Sequence, residues 1–134
     1  MPHVVIHYTA NLEREAAMDV LCKRLAEVIV ARRDASGAAV FPIGGTRVLA
    51  YPAPHFAVAD GAADRAFVYL NVRIAAGRER ALVVATGEAL IAAVRSHFAA
   101  IFASRPIGIT LQVDEGAPVF DAKHSNLHPL FAGR

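Results

Sequence analysis

Ala66-Phe67-Val68-Tyr69-Leu70-Asn71-Val72-Arg73-Ile74 is the stretch on which the fold of this chain turns. Ala66, Val68, Leu70, Val72 and Ile74 alternate with Phe67, Tyr69, Asn71 and Arg73, the period-two pattern of a strand buried on one face. Ala75-Ala76-Gly77-Arg78 ends it. From about Glu79 to Ala103 the pattern becomes helical, with Val83, Leu90, Val94, Phe98 and Ile101 on one stripe. Ala85, Ala89, Ala92, Ala93, Ala99 and Ala100 keep the other faces small, so a neighbouring element can approach closely. Arg105-Pro106 stops the helix. Ile107, Ile109, Leu111 and Val113 then alternate with Gly108, Thr110, Gln112 and Asp114 in a further strand. The connection is long enough for a parallel crossover, which should be right-handed.

The same order stands upstream. Val4 and Ile6 alternate with His3 and His7 in a first strand. Asn11 is placed to cap a helix, with Glu13 and Glu15 in its positively polarised first turn. Met18, Leu21, Leu25, Val28 and Ile29 form its apolar stripe. Arg32 and Arg33 suit its C-terminal end, and Gly37 a left-handed cap. Phe41-Pro42-Ile43-Gly44-Gly45 reads as a tight turn before a strand from Thr46 to Tyr51. Pro52 and Pro54 interrupt that strand, so the segment as far as Gly61 should be a loop or irregular edge.

The fold class predicted is therefore α/β: one domain over residues 1–134, built as a tandem β-α-β repeat with halves of roughly 1–61 and 62–134. Four strands should form one mixed sheet with both helices on one face. The other face, carrying Phe67 and Tyr69 among polar groups, calls for a cover and hence for an oligomer. The tail from Gly116 to Arg134 is polar with a late apolar cluster at Leu127, Leu130 and Phe131, and should pack across the sheet or on a neighbouring subunit.

Composition narrows the function. A chain of 134 residues supports one core, and its 55% apolar residues argue against disorder. No apolar stretch of about 18 residues is free of charges, so no membrane span is expected. The start lacks the basic and apolar regions of a signal peptide. Cys22 is the only cysteine, which fits a reducing cytoplasm. The formal charge is only +2 with scattered arginines, a poor footprint for nucleic acid.

The candidate chemistry begins at Met1-Pro2. Methionine before a small residue is usually trimmed, which would leave Pro2 as the N-terminus. The strand behind Pro2 would hold that terminus still, and its secondary amine is a potential general base. Arg78 follows the strongest strand at the edge where open α/β sheets place ligand groups. Arg47 follows the Gly44-Gly45 turn. Two guanidinium forks would grip carboxylates and push a nearby amine's pKa below its ordinary value of about 7.7–8.0.

Pro2-His3 opening a strand, Phe41-Pro42 before Gly45 and Arg47, Asp60-Gly61, Ala66-Phe67-Val68, Gly77-Arg78, His97-Phe98, Ser104-Arg105, Asn126-Leu127-His128 and Leu130-Phe131 resemble, in order and separation, the 5-carboxymethyl-2-hydroxymuconate isomerases of the tautomerase superfamily. The resemblance spans nearly the whole chain. It implies a homotrimer of tandem β-α-β subunits, active sites near subunit interfaces, no cofactor, and a place in homoprotocatechuate breakdown. Pro2 would shuttle the proton, while Arg47 and Arg78 would bind carboxylates of a di- or tricarboxylate dienol. The chain departs from the family pattern at Leu49, which stands in place of an arginine, and over Tyr51 to Phe56, which lacks tryptophan.

Other readings remain. One is a different proline-based reaction on a related dienol. Another is an oligomeric small-ligand-binding module without catalysis, which a retained Met1 would favour. No metal site is expected: His124 and His128 lack a third ligand of suitable spacing, and His3 and His7 suit packing. Cys22 reads as a small core residue. Gly44-Gly45 fits no nucleotide fingerprint.

Overall fold

The computed structural model describes all residues 1–134. Its elements are β1 (His3–Thr9), α1 (Met18–Val30), β2 (Arg47–Ala53), β3 (Ala66–Ala75), α2 (Arg80–Ser104) and β4 (Ile107–Gly116). The sheet order is β2-β1-β3-β4. β1 runs parallel to β2, β3 runs parallel to β4, and the two pairs meet antiparallel between β1 and β3. The expected tandem β-α-β arrangement in a mixed sheet is what the chain adopts.

The core lies between the sheet and the helices. Every second residue of β3 is buried, from Ala66 to Ile74, and Val4, Ile6 and Tyr8 of β1 join them. Leu21, Leu25 and Ile29 of α1 and Leu90, Val94 and Phe98 of α2 close the layer. Removing Leu70, which is wholly buried at the centre of β3, should cost about 2–5 kcal/mol. α2 is long and apolar enough to cross a membrane by length and composition alone. Its buried stripe on the sheet is that of a core helix.

Three local expectations need correction. Asn11 does not cap α1: it sits in a 3-10 turn, Ala10–Leu12. Its amide donates to the Asp64 carboxylate and the Arg65 carbonyl, both at 2.8 Å. A partner distant in sequence has taken the side chain, and the helix starts seven residues later, after Ala17 with φ of 46°. Gly37 does adopt a positive φ of 84°, but in a turn beyond the helix, where the Asp34 carboxylate accepts from the Ser36 and Ala38 amides. β2 continues through Pro52 to Ala53. An edge strand tolerates proline because its outer N–H has no sheet partner to lose.

The open face of the sheet is laced by cross-strand bonds. Tyr69 donates to Gln112 at 2.8 Å and Asn71 to Asp114 at 2.6 Å. The tail meets this face at one end, where Asp121 and Lys123 line a cleft with His3 and Arg73. It leaves β4 at Gly116 and ends in a 3-10 turn, His128–Phe131, that packs on the Ile43–Gly45 turn.

Candidate active site

The strand directions decide what meets. Because β1 and β2 are parallel, they start at the same end of the sheet, where His3 pairs with Arg47. Because β3 runs the other way, it finishes there, and His3 also pairs with Arg73. β4 follows β3, so Gly116 and the tail begin there too. One end of the sheet thus gathers the N-terminus, Arg47, Arg73, the Arg78 loop and the tail.

Pro2 is buried at this end. The Arg47 amide donates to the Pro2 carbonyl at 3.2 Å, extending the β1–β2 ladder to the terminus. The Met1 side chain lies against Gly45: a Cβ there would stand 2.6 Å from the Met1 sulfur. Gly44 is equally constrained, since its Cβ would meet the His128 Cα at 2.9 Å. The glycine pair therefore lets both the terminus and the tail close on the turn before β2.

Arg78 is half-buried between β3 and α2. Its guanidinium lies over the Phe41 ring, 4.6 Å from the centroid, and donates to the Ala75 carbonyl at 3.0 Å and the Val40 carbonyl at 3.4 Å. Phe41 is a buried platform that fixes the cation by its ring face. Arg47 donates to the Gly44 carbonyl at 3.1 Å. Neither arginine has a carboxylate partner. Both keep a full charge and unused N–H groups for a ligand.

These charges act on the terminal amine, carried here by Met1. Burial is the main cause that lowers its pKa below the ordinary value. Arg78 and Lys123 lower it further, Asp121 pulls it back up, and Arg47 adds a smaller downward push. The His3 imidazole is also lowered, by burial first, then by Arg47 and the terminal amine, with Asp121 opposing. Met1, His3, Arg73, Asp121 and Lys123 line a cleft of about 220 Å³, floored by Ile74, Ala75 and Gly116.

Of the three residues singled out from sequence, Pro2 and Arg47 meet through the Arg47 amide, and the charges of Arg47 and Arg78 both act on the terminal amine, while neither arginine lines the cleft itself. Arg73, Asp121 and Lys123 were missed. Arg73 could be placed on the open face by alternation, but only the antiparallel register puts it beside His3. Nothing in the polar tail marks Lys123. Of the residues set aside, His97 is half-buried with its ring Nε2 donating to the Ala16 carbonyl at 2.5 Å, and Cys22 packs against the core with its thiol pKa raised by burial.

An arrangement of this kind suits proton abstraction from an anion: an amine whose pKa is lowered by burial and by nearby cations. A family profile described as 5-carboxymethyl-2-hydroxymuconate isomerase matches residues 2–131. The 5-carboxymethyl-2-hydroxymuconate Delta-isomerase of Escherichia coli is 29% identical over 131 residues, covering 98% of this chain and 99% of the relative. A crystal structure of a 5-carboxymethyl-2-hydroxymuconate delta-isomerase is 46% identical with a TM-score of 0.93, covering 98% of this chain and 93% of that one. The corresponding isomerase from Deinococcus radiodurans R1 is 35% identical with a TM-score of 0.88, over 97% of this chain and 93% of that one. More distantly, a fused 4-OT described as a symmetric trimer is 27% identical with a TM-score of 0.53, over 98% and 99% of the two chains.

Proposed function

The chain belongs to the 5-carboxymethyl-2-hydroxymuconate isomerase family, an enzyme of the tautomerase superfamily, and we propose that it ketonises 5-carboxymethyl-2-hydroxymuconate with Pro2 as the base. Trimming of Met1 frees the Pro2 nitrogen and empties the space beside Gly45. Neutral Pro2 takes the proton from the 2-hydroxyl. The O–H electron pair becomes the carbon–oxygen double bond, the conjugated double bonds shift, and the protonated proline returns a proton to carbon five. The product is the 2-oxo-3-ene tautomer. Arg47 and Arg78 hold carboxylates of the chain and stabilise charge developing on oxygen.

One observation carries this reading: the buried head of β1 lies in the field of two cations that have no carboxylate partner. The place of the reaction is homoprotocatechuate breakdown in the cytoplasm. The assembly is a homotrimer, supported by the likeness to the symmetric trimer and by the apolar groups left outside, such as Leu49 on β2 and Phe102 on α2.

The test is ultraviolet-monitored ketonisation by mass-verified, Met1-free protein beside Pro2→Ala. Rapid, saturable turnover that collapses in the variant supports the proline mechanism. Equal rates in both proteins, or no turnover by correctly trimmed protein, overturn it.

A further inference from the structure

The cleft beside the terminus contains more positive charge than the two carboxylate anchors account for. Arg73 enters it from the open face of β3, and Lys123 from the tail. Arg73 has no ion pair, and its guanidinium lies on Gly116, in the space that a side chain there would fill. Lys123 is paired only with Asp121, two residues away, and both side chains are about half exposed. An exposed pair of this kind contributes little and exchanges readily for another anion. The tail that carries Lys123 is tied at both ends, by β4 at Gly116 and by the seat of His128 on Gly44. It therefore holds the lysine across the cleft without burying it. His3 lines the same wall.

We infer that Arg73 and Lys123 form a third carboxylate subsite that selects a tricarboxylate over a dicarboxylate substrate. The inference rests on the proposed reaction, whose substrate carries a carboxymethyl branch besides its two end carboxylates. Arg47 and Arg78 account for two anionic groups. The cleft, which Arg73 enters from the strand on the opposite side of His3 from Arg47, takes the third. Asp121 is the resident counter-charge that the branch carboxylate replaces on Lys123.

The test measures binding and turnover separately, on Met1-free wild type, Lys123→Ala and Arg73→Gln. Calorimetry with propane-1,2,3-tricarboxylate and with glutarate should show the wild type preferring the tricarboxylate by about tenfold or more. Either variant should lose most of that preference and bind glutarate within about twofold of wild type. In turnover, each variant should raise KM for 5-carboxymethyl-2-hydroxymuconate by about tenfold more than it raises KM for 2-hydroxymuconate. A wild type without preference, or variants that weaken both acids equally, overturn the subsite. A binding preference lost in the variants of a protein that turns over neither substrate supports the subsite and sinks the proposed reaction alone.

Discussion

The two ends of the sheet use arginine in opposite ways. Where β3 and β4 begin, Arg65 and Arg105 are both paired with carboxylates. Arg105 pairs with Glu15, and with Asp64 at 3.4 Å, while also donating to the Asn11 carbonyl at 3.2 Å. Arg65 pairs with Asp60. These contacts tie the 3-10 turn after β1 to the loop before β3. Where β1 and β2 begin, Arg47, Arg73 and Arg78 have no carboxylate, and Arg47 and Arg78 bond only to backbone carbonyls. One end uses its cations to join the chain to itself. The other holds them in position and leaves their charge for a ligand.

The largest expected effect breaks this contrast at its centre. In Met1-free protein, Pro2→Ala replaces a secondary with a primary amine at the same place, and kcat should fall by about 10²-fold or more. Circular dichroism should be unchanged, and full activity in the variant would remove Pro2 as base. Next, Arg78→Ala and Arg47→Ala should each raise KM by about 10- to 100-fold with little change in the denaturation midpoint. The opposite pattern is expected of Arg105→Ala. It should lower stability by about 1–2 kcal/mol in urea titration and leave KM unchanged. An Arg105 variant with normal stability and a raised KM would erase the distinction between the two ends.

The smallest effect is alkaline. Burial pushes the Tyr8 hydroxyl up to about 12, assisted by its 2.5 Å hydrogen bond to the Glu13 carboxylate. A pKa raised in the folded state adds stability that is full below the ordinary value of about 10 and lost as pH climbs toward about 12. Denaturant titrations across that window should show the loss in wild type and a flatter profile in Tyr8→Phe.

Much of this was legible in the sequence because periodicity reports burial directly. β3 and α2 alternate as the chain predicts, with Val83, Leu90, Val94, Phe98 and Ile101 inside. The places of Pro2, Arg47 and Arg78 at the ends of strands were legible because position relative to a strand end is a local fact. Asn11 misled because a good cap is also a good partner for a distant carboxylate, and Asp64 is 53 residues away. Arg73 and Lys123 stayed hidden for a related reason. Their nearness to the terminus is set by strand register and by the path of the tail, neither of which has a signature along the chain.

The central claim is that burial, and then cations such as Arg78 that have no carboxylate partner, lower the pKa of the terminal amine where it must act as a base. The direct measurement is an NMR titration of Met1-free protein carrying ¹⁵N-labelled Pro2, compared with Arg78→Ala. The amine should titrate below the ordinary range of about 7.7–8.0, and removing the positive charge should move its pKa upward. The acid limb of kcat/KM should shift to higher pH with it. An amine that titrates at or above the ordinary value, or one that ignores the loss of Arg78, would contradict the account.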